Sequence, residues 1–269
     1  MRSKSRAPSG LILFALIALA ASAGFVRLGI WQLERHREVS GENADRAAKL
    51  ALAPMQLDAG MLIAAPTDSL LWRRVEVTGR WVVEHGVIIR SRVRSGTPGV
   101  HVVMPLQLRA GESESGGAGA SVLVLRGWLP SADAAAAHRQ TEASEPGSAS
   151  QVSGVALVRE SRAGRGGPMV ELETESGRIR SFSAIDVELI ADGNEDSAPV
   201  FLQLLPADGA SLDDPGDPLA VPLPELDSGP HMGYAIQWFA FAVITLVGSI
   251  AFLRRETGRS GRSANPGSR

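Results

Sequence analysis

Residues able to do chemistry crowd one short stretch near the end of the chain: His231, Tyr234, Gln237 and Trp238, within PHMGYAIQWFAFA. At about 100° per residue on a helix, His231, Tyr234, Trp238 and Thr245 fall within about 60° of one another and form one stripe. A neutral imidazole at the outer end of a membrane helix is a competent ligand for haem iron or copper, which makes His231 the candidate metal ligand. Tyr234 and Trp238 beneath it would supply a flat aromatic wall. Gln237, polar and inside an apolar run, is expected to face protein. The competing reading is an aromatic belt with a hydrogen-bonded interfacial histidine.

Other chemistry is poorly represented. With no cysteine, the chain has no disulfide, thiolate metal site, cysteine nucleophile or covalently attached c-type haem. The five histidines are scattered without paired ligand spacing. There is no Walker loop, dinucleotide glycine motif, metalloprotease helix or nucleophile elbow, so a membrane-tethered exported enzyme lacks a catalytic constellation. In the middle of the chain, Arg126-Gly127-Trp128 ends a run of alternating valine and leucine. Arg126 either pairs with an acid while Trp128 caps a core, or it holds an anionic group such as a carboxylate, or forms a docking edge.

The elements that must position these residues follow from hydropathy and charge. Gly233–Leu253 is a run of 21 residues without a charge. As a helix it reaches about 31 Å, enough to cross a hydrocarbon core. Near the start, Gly10–Val26 gives 17 apolar or small residues after a basic segment. A signal peptide competes here, but the run is long for one and continues helix-compatible through LGIWQLERHRE, so an uncleaved first transmembrane helix is expected. Residues 28–230 carry a net charge of −10 and the remainder +8. Basic residues flank the outer ends of both apolar runs, which places both termini in the cytoplasm and the middle outside. This distribution does not resemble a nucleic-acid footprint.

The middle reads as β-rich. Arg73–Gly79, Val100–Leu108, Ser121–Trp128, Val152–Arg159, Ile179–Phe182, Val187–Ile190 and Val200–Leu205 are predicted strands, with Trp81–Val93 a hairpin turning at Glu84-His85-Gly86. Helices are expected over Glu34–Leu52 and after Ser131, and a Gly/Ser-rich loop around 111–120. The segment 206–230, with its prolines and acids, reads as an extended tether. The expected architecture is an α+β membrane protein with two transmembrane helices flanking an exported antiparallel β-rich domain, a sandwich or small barrel. Its parts are a cytoplasmic start (1–9), helix one (10–31), the β-rich domain (32–205), the tether (206–230), helix two (231–253) and a basic cytoplasmic tail (254–269).

Taken in order, LGIWQLERH, RRVEVTGRW, IIRSRVRSGTPGVHVVMPLQL, VLVLRGWLP and PHMGYAIQWFAFA resemble the surfeit-locus family of cytochrome c oxidase assembly factors. Gly29, Trp31, Gln32 and Arg35 match its first-helix motif. Gly79, Arg90, Gly99, Pro105 and Leu106 match the central block, Arg126, Gly127, Trp128 and Pro130 the strand end, and His231, Tyr234, Gln237 and Trp238 the second helix. Glu38 and Val39 stand where the family usually has an aromatic and a lysine, which alters an interaction near that membrane exit. The resemblance implies a non-enzymatic chaperone of the respiratory chain that helps place haem a into the catalytic subunit of the oxidase, with haem a synthesis enzymes and the lipid bilayer as further partners. It implies haem a binding at His231. Trp31, Arg35 and Arg126 are expected to complete the pocket or meet the propionates. Without an Arg-rich transit peptide, a bacterial cell membrane is expected rather than a mitochondrial one. The alternative is a scaffold that holds the catalytic subunit and never touches haem.

Overall fold

The computed structural model describes residues 9–82, 85–108, 120–130, 151–174, 177–191, 197–206 and 218–263. They fall into two compact units: the chain up to Arg46 together with Glu225 onward, and Ala47–Pro224.

The first unit is a pair of helices. Helix α1 spans Ser9–Ala51, 43 residues without a break, about 65 Å at 1.5 Å per residue. The expected transmembrane segment 10–31 and the expected helix after Glu34 are therefore one element, and the second compact unit begins at Ala47 rather than at 32. Pro54 lies just beyond the helix end, where its ring disfavours helical backbone in the preceding residue. The last helix, α5, runs His231–Ser263. Both helices are long and apolar enough to cross a membrane, and only 11% and 6% of their most apolar windows are buried. The helix of a soluble core would be mostly buried.

The covered positions on each helix repeat every three and four residues. On α1 they include Ala18, Ser22, Phe25, Gly29, Gln32 and His36; on α5, His231, Ala235, Trp238, Ala242, Thr245 and Ser249. This is the 3.5-residue period of a left-handed helix pair. Small residues let the backbones approach, as they do between helices in lipid. Gly29 makes the point: a Cβ there would lie 2.7 Å from the Phe239 ring. Aromatic contacts fill the rest, Phe14 on Phe252 at 5.0 Å and Phe25 on Trp238 at 5.7 Å.

The second unit is built on one nine-stranded sheet: β1 (Met55–Leu57), β2 (Arg74–Trp81), β3 (Val87–Arg94), β4 (Thr97–Leu108), β5 (Ser121–Pro130), β6 (Gln151–Glu160), β7 (Val170–Thr174), β8 (Gly177–Phe182) and β9 (Ser197–Leu204). The order is β1-β2-β6-β9-β5-β4-β3-β8-β7, and β2 also pairs with β4. That extra pairing closes β2-β6-β9-β5-β4 into a five-stranded barrel, with β3-β8-β7 as a flange beside it. Strand β4 serves both: its last residues, 106–108, meet β2, while 97–103 meet β3. All five ring strands contribute to one buried cluster that includes Val77, Leu106, Val124, Val158 and Leu202. Short helices α2 (Ala59–Ala64) and α3 (Thr67–Leu70) cover this cluster through Leu62 and Leu70. A second cluster lies on the opposite face of β4, β5 and β9, under Val187 and Ile190.

The sheet is mixed rather than antiparallel. β1 runs parallel to β2, β3 to β8, and β5 to β9. Each parallel pair is joined by a crossover rather than a tight turn, and turn signals do not reveal such pairings. The predicted hairpin over Trp81–Val93 does not form, because β2 and β3 both pair with β4 and not with each other. The true hairpin is one step later, β3 to β4, where Ser95 (φ 48°) and Gly96 (φ 80°) make a two-residue turn. Val187–Ile190, predicted as a strand, is instead helix α4, capped by Asp186, whose Oδ1 accepts from the Leu189 N–H. The segment 206–230 is not a free tether throughout: Leu219 pairs with Trp128 through both backbone hydrogen bonds, and Gln203 donates to the carbonyls of Val221 and Pro222. The predicted helix after Ser131 and loop 111–119 lie outside the described residues.

Candidate functional site

His231 is the first residue of α5, and the turn before it is built to hold it. Asp227 Oδ1 accepts the Gly229 N–H at 2.9 Å, Gly229 takes φ 70°, and the Pro230 carbonyl accepts the Tyr234 N–H at 3.1 Å. The Ser228 hydroxyl meets the Ser40 hydroxyl of α1 at 3.0 Å, which ties this turn to the partner helix.

The imidazole then makes one polar contact across the pair. His231 Nδ1 lies 2.9 Å from Gln32 Oε1. An amide oxygen only accepts, so with this oxygen facing the ring Nδ1 donates, and in the neutral imidazole the lone pair is then on Nε2. A histidine fixed in this way presents one nitrogen to a Lewis acid, the arrangement that second-shell partners impose on metal-bound histidines. One turn further along α1, His36 turns its Nδ1 into the same seam, where it is buried without a hydrogen-bond partner. Gln32 was legible as part of a motif. Its pairing with His231, 199 residues away, was not.

The other predicted residues separate. Trp238 lies in the seam, stacked on Phe25 and edge-on to Phe241 at 5.8 Å. Tyr234 is exposed beside the stripe. Gln237 is exposed too, in contrast to the expectation that it faces protein. On α1, Trp31 is exposed and lines a groove of that helix with Arg27 and Glu34. Arg35 donates to Glu38 at 2.6 Å, so the residue that departs from the family pattern holds this guanidinium. Arg126 belongs to the barrel, where it stands over the Trp81 ring at 5.2 Å. Among the described residues, no group of three or more histidine or acidic side chains could hold a metal ion.

Comparison with known proteins agrees with this layout. The SURF1 family model matches residues 19–243, a span from within α1 to within α5. SURF1-like proteins of Mycobacterium bovis and Mycobacterium tuberculosis, themselves uncharacterized, are 27% identical over 246 residues, covering 89% of this chain and 82% of theirs. The match takes in both helices and the barrel between them, and the chain belongs to the SURF1 family.

Proposed function

We propose that this protein is a membrane-spanning assembly factor for cytochrome c oxidase that receives haem a as cargo at His231 and passes it toward the catalytic subunit. The observation that carries the reading is the Gln32–His231 hydrogen bond, which in the neutral ring leaves the lone pair on His231 Nε2, at the start of an apolar helix, open to a metal. A single neutral imidazole is a fitting ligand for cargo that has to be released. Tyr234 and Gln237, exposed near it, would flank the bound group, and Trp238 would fix the helix pair beneath it. Trp31 and Arg35 would meet the cargo's edge or its carboxylates from α1, and Arg126 is assigned to recognition by the barrel. In this reading both helices cross a bacterial cell membrane with the termini in the cytoplasm. The role is not enzymatic, and haem a synthesis enzymes supply the cargo.

The test is spectroscopic. Protein purified from cells that make haem a is expected to carry it, and His231→Ala is expected to lose it. Gln32→Leu is expected to lower affinity by about tenfold, the usual effect of removing a second-shell partner. Haem-free wild type, or unchanged haem in His231→Ala, rejects the cargo reading. One observation favours the second reading, a scaffold that holds the catalytic subunit: Trp238 is already packed on Phe25. Normal oxidase assembly in His231→Ala, with crosslinking to the catalytic subunit intact, selects it.

A further inference from the structure

The barrel unit carries a pocket of its own, about 510 Å³, lined by Arg92, Arg94, His101, Trp128, Val221 and Pro222. We propose that it binds a small organic anion, an oxyanion group carried on an apolar body.

The sequence builds this pocket deliberately. Arg92 and Arg94 stand two apart near the end of β3, so they share one face of the strand. His101 of β4 is paired with Trp128 of β5. The Trp128 indole lies against Gly99, leaving no room there for a Cβ, and its Nε1–H reaches the Arg92 carbonyl at 3.5 Å. The returning segment at Leu219 is fastened to Trp128, and Arg94 donates to the Ala220 carbonyl, which brings Val221 and Pro222 in as an apolar wall. Polar donors thus face an indole and two aliphatic side chains across a volume that suits a small ligand.

Charge says what kind. Arg92, Arg159 and Arg162 gather on this side of the unit, and among the described residues none of the three forms an ion pair. Arg92 donates instead to the Ser183 carbonyl at 2.6 Å, and Arg159 to Gln203 Oε1 at 2.6 Å. Burial and the neighbouring Arg162 lower the pKa of Arg92, and the same causes act on Arg159. His101 is held neutral, its pKa pushed down to about 4 by burial and by Arg92 and Arg159. Arg159 also lies over the Trp72 and Phe201 rings, so Arg92 is the half-buried guanidinium that lines the pocket without a carboxylate partner, and an oxyanion there would complete it. A guanidinium matches carboxylate and phosphate alike, so the shared chemistry is the oxyanion.

The experiment titrates full-length protein in detergent micelles with three probes: inorganic phosphate, octanoate and dihexanoyl phosphatidylglycerol. The first tests a free anion, the second a carboxylate on an apolar body, and the third a lipid headgroup. Saturable binding of octanoate or the lipid, at least tenfold tighter than phosphate and weakened at least tenfold in Arg92→Gln, is expected. Which of those two binds tighter identifies the source. Because Arg92 also ties β3 to Ser183, Arg94→Gln is run beside it. In wild type, saturation is also expected to raise the His101 pKa, read by NMR, since an adjacent anion favours the imidazolium. No saturable binding of any probe, or binding that both arginine variants and His101 fail to register, overturns the proposal.

Discussion

The helix pair and the barrel solve the burial problem in opposite directions. In the barrel the large aliphatic side chains are inside: Val75, Leu106 and Leu202 have no exposed surface. In the helix pair they are outside: Leu16 is 60% exposed, Ile236 64% and Ile244 67%, while alanine, serine, threonine, glycine, glutamine and histidine share the seam with Phe25 and Trp238. One chain therefore carries two codes, and the second belongs to helices long and apolar enough to cross a membrane. In water, apolar area is hidden; in lipid, hiding it gains little, and close packing and polar contacts decide which helices associate. The consequence for function is that polar side chains are admitted to the helix seam, and His231 is one of them.

The contrast is tested most severely in the barrel. Leu106→Ala, in the cluster that all five ring strands share, is expected to cost about 3–4 kcal/mol, read as a lower denaturation midpoint of the detergent-solubilised chain. Next comes acid. His101 is neutral when folded, with a pKa of about 4 against 6.5 in the unfolded chain, so the unfolded state binds the extra proton between those values. Stability therefore falls as pH drops through that window, by at most about 3 kcal/mol. His101→Gln is expected to remove this part of the acid sensitivity, measured as the difference between the two unfolding-versus-pH curves. The smallest effects belong to the helix pair. Gly29→Leu, pressed against Phe239, is expected to cost about 1–2 kcal/mol and to break the Gln32–His231 hydrogen bond, seen as a changed His231 ring nitrogen shift. Leu16→Ala, outside the seam, is expected to change stability by less than about 0.5 kcal/mol. Equal costs for Leu16→Ala and Leu106→Ala would remove the distinction between the two units.

The helices were legible because their signal is local and long. An uncharged run of 21 residues needs no partner to be recognised. The β4–β5 hairpin was legible for a similar reason, since alternating residues bracket a Gly/Ser-rich connection. What failed depended on distance. The Trp81–Val93 hairpin was inferred from proximity in sequence, but β3 pairs along β4, and β2 pairs chiefly with β6 and meets β4 only at Gly79–Trp81. The tetrapeptide Val187-Glu188-Leu189-Ile190 alternates like a strand, yet the Asp186 cap and the apolar cluster beneath it favour one helical turn. At the candidate site, His231 announced itself through its neighbours, whereas Gln32 became its partner only when two segments 199 residues apart were folded together. Arg126 was the residue singled out in the barrel, but Arg92 and His101 line the pocket, because pockets are made across strands.

The position of β9 has a consequence for synthesis. Among the described residues it is the last strand made, and it sits between β5 and β6, which leave the ribosome earlier. Until residue 204 has emerged, those two neighbours have open edges and the ring has a gap. With no cysteine in the chain, no covalent lock can secure a partial ring. The ring therefore cannot close before β9 is present, and the pocket wall at Val221 and Pro222, hydrogen-bonded to Gln203 of β9, takes its place with that strand.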